Sequence, residues 1–245
     1  MAEFPFRKPD GFPLVIAHRG ASDRALENSL AAFSRALLER ADMIECDVRL
    51  SADGVPFVIH DDRAGRTARE NVRVASCSAA RLATVRLRNG EPVPRLADVL
   101  DLVRGAVPLN VEIKDPGGTA AVLRTLTAAG DAGPILLSSA HREECLAARS
   151  QRPDLPCGLV TRRPSSSDLA FCLRHALASI HPDRRFLTVL RIRKVVAAGI
   201  PFVPYTVDDA DAFFRLVDAG ASGVFSNRAA ELREAWRGRA AGPAG

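Results

Sequence analysis

The sequence is poor in features that mark several classes of protein. It contains one Tyr and one Trp, and its five cysteines form no CxxC pair. Proteins that bind single-stranded nucleic acid by stacking need aromatic side chains beside clustered basic residues, and here the basic residues are scattered. An odd number of cysteines in a chain of 245 residues does not indicate a disulfide framework. We therefore expect neither a nucleic-acid partner nor a fold held by disulfides.

Long apolar runs are also missing. No run reaches the length of about 18 residues that a membrane-spanning helix needs. The first residues do not combine a basic segment with an apolar one, as secretory signals do. We expect no integral membrane segment and, by default, a cytoplasmic location. The net charge of +5 suits an anionic small-molecule substrate, and nothing in the sequence indicates an oligomeric state.

Short apolar runs alternate with helical patterns along the chain. Eight such units in 245 residues are typical of a closed TIM-type (β/α)8 barrel, whereas a doubly wound open sheet rarely uses so many. We predict a single catalytic barrel domain over residues 1–245, with an ordered core over 12–236 and a frayed end after it. The predicted barrel strands span residues 14–17, 43–50, 109–113, 135–138, 157–160, 178–180, 202–207 and 223–225.

The other predicted elements complete this frame. A hairpin returns from the second strand through Asp53-Gly54 into a strand over 55–59. Asn28 is the predicted N-cap of the first helix. The segment 61–95 has little periodicity, and we predict that it wraps one rim of the barrel as a short insertion. Later helices are predicted over 96–103, 120–129, 143–150, 168–175, 188–198, 209–219 and 229–236.

Charged residues occur at the carboxyl ends of predicted strands, where barrels of this kind place their chemistry. Glu45 and Asp47 share one face of the second strand because side chains alternate along a strand, and Glu112 shares a face with Lys114 in the third. Three converging carboxylates would repel one another. A hard divalent cation with oxygen ligands, Mg²⁺ or Ca²⁺, relieves that repulsion. We therefore predict a metal site at Glu45, Asp47 and Glu112.

The hairpin predicts where one imidazole lies. With a two-residue turn, or a four-residue loop over 52–55, His60 pairs with Asp47, and a bulge shifts it by one place. Directly opposed residues share a face, so we expect His60 beside the carboxylates. His18 follows the neighbouring first strand and is expected at the same mouth. Two imidazoles suit a general acid and base pair.

Positive charge completes the predicted site. Arg19 and Lys114 lie next to these groups and are suited to hold a phosphate. A metal, two imidazoles and two cations together indicate phosphoryl chemistry.

The order of these motifs resembles the glycerophosphodiester phosphodiesterase family. The resemblance covers residues 14–230 and depends on the ordered set HRG at 18–20, ENS at 27–29, ExD at 45–47, HD at 60–61 and ExK at 112–114. It implies a (β/α)8 barrel, a divalent metal, and hydrolysis of glycerophosphodiesters to glycerol 3-phosphate and an alcohol.

The resemblance also implies roles for individual residues. Tyr205 stands where the family often has Trp, so it is expected near the substrate, and Ser226-Asn227-Arg228 departs from the usual Thr-Asp ending. Two alternatives stay open: a lysophospholipase D-type phosphodiesterase, and a non-catalytic barrel that binds anionic ligands. By resemblance the roles are metal binding for Glu45, Asp47 and Glu112, acid/base catalysis for His18 and His60, phosphate binding for Arg19 and Lys114, and support of the site for Glu27.

Overall fold

The computed structural model describes residues 12–130 and 133–240. Over these ranges the chain forms a curled, mainly parallel sheet enclosed by helices, which is the predicted TIM-type architecture. The last helix continues through Ala240, four residues past the predicted end of the ordered core, and the rest of the predicted frayed end, residues 241–245, lies outside the described residues. The strands are β1 (Leu14–Ala17), β2 (Met43–Leu50), β3 (Pro56–Val58), β4 (Leu109–Ile113), β5 (Ile135–Ser139), β6 (Cys157–Thr161), β7 (Ser179–Pro182) and β8 (Gly223–Ser226).

The parallel strands are hydrogen-bonded in the order β7-β6-β5-β4-β2-β1-β8, and β3 pairs antiparallel with β2 outside this series. Helices connect the strands, as parallel pairing requires. They are α1 (Leu30–Leu38), α2 (Ala79–Leu82), α3 (Leu96–Val103), α4 (Thr119–Ala129), α5 (Arg142–Gln151), α6 (Ser166–Arg174), α7 (Val189–Ala197), α8 (Ala210–Asp218) and α9 (Ala229–Ala240). In the ranges that the structure describes, no helix is long and apolar enough to cross a membrane.

The segment 202–207 differs from its prediction as a continuous strand. It lies between β7 and β8, but it forms only isolated parallel bridges, from Phe202 to Ile180 of β7 and from Tyr205 to Asp183 just after β7. On the other side, the amide of Phe225 donates a hydrogen bond of 3.0 Å to the carbonyl of Pro204. Pro204 has no amide hydrogen, so a regular ladder cannot pass through it. The segment thus bridges the two outer strands with irregular bonds.

The predicted cap of α1 is wrong by one residue. The hydroxyl of Ser29 accepts the amide hydrogen bond of Ala32 at 3.1 Å, which makes Ser29 the N-cap. Asn28 instead has a positive φ of 55° and is buried. Both residue types cap helices well, so the sequence does not distinguish them. Because Ser29 caps the helix, the side-chain amide of Asn28 is free to form hydrogen bonds inside the barrel.

Alternation along β2 separates two environments. Ile44, Cys46 and Val48 pack into the main apolar core between the sheet and the helices. Glu45 and Asp47 point the other way and are also buried. Full burial of each large apolar side chain in such a core contributes about 1.5–3 kcal/mol. The barrel interior has its own apolar layer, formed by Leu14, Ile16, Met43, Leu136, Ala178, Val203 and Phe225.

The hairpin has a different register from the predicted one. Val48 pairs with Val58 and Leu50 with Pro56, and the Ser51 amide donates to the Val55 carbonyl at 3.0 Å. Residues 52–54 therefore form a three-residue loop, in which Gly54 takes a φ of 78°. Asp47 consequently lies opposite Ile59, whose amide donates to its carbonyl at 2.9 Å. The predicted pairing of His60 with Asp47 is therefore wrong by one residue. His60 lies beyond the end of β3, where strand alternation no longer determines its direction.

The insertion 61–95 folds on a small core of its own. Phe57, Val74, Leu82 and Leu87 are among the buried residues of this cluster. Two 3-10 turns, Ala64–Arg66 and Val74–Ser76, and the short α2 form it. The first turn matters for the site, because it presents Arg66 to the residues that follow β1 and β3.

Candidate active site

A pocket of about 110 Å³ opens at the carboxyl ends of the strands. Charged residues from β1, β2 and β4 line one half, and Val160, His181, Tyr205 and Phe225 line the other. Glu27 contacts Arg19 at its edge. The structure thus brings the predicted residues together at one mouth: His18, Arg19, Glu45, His60, Glu112, Lys114 and Tyr205 line the pocket, and Asp47 belongs to the same carboxylate cluster.

The three predicted metal ligands converge. Parallel pairing places Asp47 opposite Glu112, and Glu45 is two residues earlier on the same face of β2. One carboxylate oxygen from each of the three lies within 4.8 Å of the others. Burial, together with the charges of Asp47 and Glu112, raises the pKa of Glu45 well above its usual value. The cluster is therefore short of positive charge.

Two cations partly compensate these carboxylates. The Arg19 Nε lies 3.0 Å from the Asp47 Oδ2, and the Lys114 Nζ lies 3.3 Å from its Oδ1 and 2.6 Å from the Glu112 Oε1. Burial alone would raise the pKa of Asp47, but Lys114 and Arg19 outweigh it and hold that pKa below the usual range. Asp47 is therefore ionised at neutral pH. The predicted phosphate-binding cations both reach the pocket while paired to carboxylates.

The loop after β1 adopts a conformation that its sequence explains. Arg19 and Gly20 have positive φ values of 60° and 82°. A Cβ at Gly20 would lie 2.7 Å from the carbonyl carbon of Ala32, so only glycine fits against the first turns of α1. This close turn directs the Arg19 amide to the Glu45 Oε2 at 2.9 Å. The HRG motif thus positions a metal-ligand candidate through its backbone.

The side-chain amide of Asn227 orients the His18 ring. Its Nδ1 lies 2.9 Å from the Asn227 Oδ1, and the Asn227 Nδ2 donates to Asp208 at 2.8 Å. Because the Asp208 carboxylate can only accept, the Asn227 oxygen faces His18, and the His18 Nδ1 is the donor. The Nε2 is then left as a proton acceptor. Burial, and then the charge of Arg19, lowers the pKa of His18 to about 4, so the imidazole is neutral at pH 7.

His60 is held by a carboxylate. Its Nδ1 lies 2.7 Å from the Asp61 Oδ1, and Arg66 donates to the other Asp61 oxygen at 2.6 Å. Arg66 also forms two hydrogen bonds to Glu27, at 2.6 and 2.7 Å. Glu27 therefore connects Arg19 with Arg66 across the mouth. This network fixes the His60 ring so that its Nε2 is the free nitrogen.

Three further residues belong to the site but were not predicted to. The Asn28 side chain donates to the Asp47 Oδ2 at 2.8 Å and accepts from the Asp47 amide at 3.3 Å. Asn227 orients His18, and His181 lies in the pocket wall. The sequence signal that could have indicated Asn28 is its place in the ENS motif. The signal for Asn227 is the segment Ser226-Asn227-Arg228, which departs from the Thr-Asp ending that is usual in the family.

The half of the pocket beyond β5 is less polar. His181 is buried, its Nε2 lies 2.8 Å from the Ser179 Oγ, and its ring occupies the space that a side chain at Gly158 would need. Burial lowers the pKa of His181 to about 3. Burial and the charge of Glu112 raise the pKa of Tyr205 to about 12, so its hydroxyl stays protonated. Neither side chain carries charge at neutral pH.

Comparison with known proteins supports the resemblance noted in the sequence. The model of the glycerophosphoryl diester phosphodiesterase family matches residues 18–231. A glycerophosphodiester phosphodiesterase of Caldanaerobacter subterraneus is 29% identical over 227 residues, which covers 87% of this chain and 93% of that protein. A second glycerophosphodiester phosphodiesterase, from Bacillus subtilis, is 25% identical over 246 residues, which covers 87% of this chain and 83% of that protein.

Solved structures of phosphodiesterases have the same fold as this chain. An Oleispira antarctica phosphodiesterase in complex with the product sn-glycerol-3-phosphate aligns with a TM-score of 0.86 at 26% identity, over 92% of this chain and 97% of that one. A glycerophosphodiester phosphodiesterase from Agrobacterium tumefaciens aligns with a TM-score of 0.75 at 25% identity, over 91% and 100%. The chain therefore belongs to the glycerophosphoryl diester phosphodiesterase family and is a phosphodiester hydrolase by class.

Proposed function

We propose that this protein hydrolyses glycerophosphodiesters to glycerol 3-phosphate and an alcohol, with a divalent cation and two histidines. The observation that carries the proposal is the meeting of His18, His60 and the three-carboxylate cluster in one pocket. The glycerol 3-phosphate held by the similar Oleispira antarctica structure supports the same product here.

The three carboxylates suit a divalent cation. The buried Glu45 Oε1 accepts no hydrogen bond from the described residues, and burial, followed by the charges of Asp47 and Glu112, raises the pKa of this carboxyl. A cation would relieve that repulsion, and an all-oxygen set favours Mg²⁺ or Ca²⁺ over Zn²⁺. Glu45, Asp47 and Glu112 would hold the ion, which when bound supplies positive charge for the phosphate oxygens.

Arg19 and Lys114 supply further positive charge. Each keeps N–H donors beyond those used by its carboxylate partners, since Arg carries five and Lys three. Glu112 and Asp47 more than offset the effect of burial on Lys114 and raise its pKa above the usual value, so the ammonium stays charged in the pocket. Both groups are therefore suited to bind the phosphate and to stabilise the charge that develops on it.

The two histidines would divide the proton transfers. In each ring the Nδ1 is held by a side-chain oxygen, and the Nε2 is left for the substrate. One ring takes a proton from the attacking group, which is water or the 2-hydroxyl of the glycerol, and the other gives a proton to the leaving alkoxide. Attack by the 2-hydroxyl would give a cyclic phosphate, which a water molecule then opens to glycerol 3-phosphate. The neutral state of His18 leaves it able to accept a proton.

The first test is the product released from glycerophosphocholine and from lysophosphatidylcholine. The proposal predicts glycerol 3-phosphate from the first substrate. Release of a lysophosphatidate from the second, without turnover of the first, would instead identify a lysophospholipase D-type enzyme. Binding of diesters without any turnover would identify a non-catalytic barrel.

The attacking hydroxyl has its own test. If the glycerol 2-hydroxyl is the nucleophile, the 2-deoxy analogue of the diester is not turned over at an appreciable rate. Turnover of that analogue at the full rate would exclude the internal nucleophile and leave water.

A further inference from the structure

A cluster of arginines lies beside the pocket, on the loops that follow β6 and β7. We refer to it as the basic rim. A groove of about 510 Å³, partly shared with the pocket, is lined by His18 and His60 and also by Arg184 and Arg185. Two carboxylates line it as well: Asp183, which Arg185 engages, and Asp208, which accepts hydrogen bonds from Ser226 and Asn227. The rim is thus continuous with the candidate reaction site. Its members, all exposed, are Arg162, Arg163, Arg184 and Arg185.

One aromatic ring organises the rim. The guanidinium carbons of Arg162 and Arg163 each lie 4.5 Å from the centre of the Phe186 ring, and that of Arg185 lies 5.8 Å from it. Phe186 is half-buried at the end of the 3-10 turn after β7. Cations packed on an aromatic face lose less side-chain freedom when they bind an anion. The two loops therefore present their charges together.

Most of the rim's positive charge is not balanced by carboxylates. Asp183 is engaged by Arg185 through contacts of 2.6, 3.0 and 3.1 Å. Across the ranges that the structure describes, no carboxylate forms an ion pair with Arg162, Arg163 or Arg184. The Arg184 Nε donates to the backbone carbonyl of Thr206, which leaves its terminal amino groups for another acceptor. The rim is therefore suited to attract an anion.

The shapes of the two cavities indicate which part of a substrate meets the rim. The narrow pocket beside the carboxylates suits the phosphate and glycerol, which all glycerophosphodiesters share. The wider groove suits the alcohol, which varies. We propose that the basic rim binds an anionic group on the alcohol, so that this enzyme prefers glycerophosphodiesters whose alcohol carries a negative charge. This proposal rests on the proposed function.

The test compares substrates that differ in the charge of the alcohol. Glycerophosphoinositol and glycerophosphoinositol 4-phosphate form a matched neutral and anionic pair, and glycerophosphocholine supplies a cationic alcohol. We expect wild-type kcat/KM to be highest for the phosphorylated diester and lowest for the choline diester. In Arg184→Glu or Arg163→Glu, kcat/KM for the phosphorylated diester should fall about three- to tenfold, while that for glycerophosphoinositol changes less than about twofold.

Arg124→Glu is the matched control, because Arg124 is exposed on α4 and lines a different groove while the change in net charge is the same. Arg124→Glu should leave unchanged the ratio of kcat/KM for glycerophosphoinositol 4-phosphate to kcat/KM for glycerophosphoinositol. Equal kcat/KM values for all three diesters in the wild type, or an equal effect of Arg124→Glu and Arg184→Glu, would overturn the proposal while the proposed function stands. Absence of hydrolysis of every diester would overturn both.

Discussion

The two halves of the pocket are built on opposite principles. The half formed by β1, β2 and β4 concentrates charge, and most of its polar groups are held by another residue of the cluster. The half formed by β6, β7 and β8 presents Val160, Phe225 and the uncharged His181 and Tyr205. The charged half is equipped for phosphoryl chemistry. Within the pocket, the other half presents no charged side chain beside the phosphate that is cleaved, and the arginines of the basic rim lie outside it, in the adjoining groove and loops.

The halves also differ in how rigidly their side chains are positioned. Asp47 is contacted by Asn28, Arg19 and Lys114. By contrast, within the described part of the chain the Tyr205 hydroxyl forms one long hydrogen bond, of 3.5 Å, to the carbonyl of Thr161. Preorganised polar groups are the main source of catalytic power in such sites. The comparison therefore predicts that substitutions in the charged half lower kcat, whereas those in the other half act mainly on substrate binding.

Replacing either histidine should have the largest effect. We expect His18→Ala and His60→Ala each to lower kcat about 10²–10⁴-fold, because each loses one proton transfer. The two losses should not multiply in the double variant, since the groups serve one reaction. Glycerol 3-phosphate release measures the rate, and calorimetric titration with Mg²⁺ or Ca²⁺ checks that the cation site is intact. A variant that keeps more than about a tenth of the rate would place the chemistry elsewhere.

Loosening His60 should have an intermediate effect. Asp61→Asn keeps the size of the side chain but removes the charge that holds the His60 Nδ1 proton, and we expect kcat to fall about tenfold with little change in KM. Asp62→Asn is the control, because Asp62 is exposed and, among the described residues, the His60 ring is hydrogen-bonded to Asp61 and not to Asp62. Equal rates for the two variants would show that the Asp61 contact does not position His60.

A change in the other half of the pocket should have a smaller effect. Tyr205→Phe removes a hydroxyl whose one hydrogen bond is at the limit of useful length, so we expect kcat to change less than about threefold and KM to carry most of the effect. Steady-state kinetics with glycerophosphocholine separate the two constants. A fall in kcat as large as that of His60→Ala would remove the distinction between the halves.

The pH dependence of stability tests the apolar character of the same half. The pKa of His181 is about 3 in the folded protein, below its ordinary value of 6.5, because the ring is buried. As the pH falls below 6.5, the unfolded chain takes up a proton that the folded chain does not, so the free energy of unfolding falls until about pH 3. His181→Gln should lose less stability than the wild type between about pH 7 and 5. Urea unfolding at several pH values measures the free energy of unfolding of both proteins. An equal decrease in the wild type and in His181→Gln would contradict the prediction.

The sequence predicts the charged half well because that half depends on local rules. Parallel pairing of neighbouring strands and alternation along each one are sufficient to bring Glu45, Asp47 and Glu112 together. The predicted register brings His60 to the mouth of the pocket although it is wrong by one residue, because a three-residue loop with Gly54 at positive φ replaces the expected even-numbered loop. The one-residue error does not move His60 out of the pocket, because His60 lies beyond the end of β3, where strand alternation no longer sets its direction.

The rest depends on contacts between distant parts of the chain. Asn227 and His18 are 209 residues apart, and no local pattern indicates that an amide after β8 holds an imidazole after β1. The sequence does not distinguish Asn28 from Ser29 as the cap of α1, because both residue types are preferred at that position. The groove and basic rim depend on how the loops after β6 and β7 pack around Phe186, which periodicity does not determine.

The central claim is that diester hydrolysis at the charged half depends on a divalent cation held by its three carboxylates. The most direct measurement is glycerol 3-phosphate release from glycerophosphocholine after complete chelation, followed by separate addition of Mg²⁺, Ca²⁺ and Mn²⁺. We predict that chelation lowers the rate at least about a hundredfold and that one of these ions restores it. An unchanged rate in protein shown by elemental analysis to be free of metal would contradict the account.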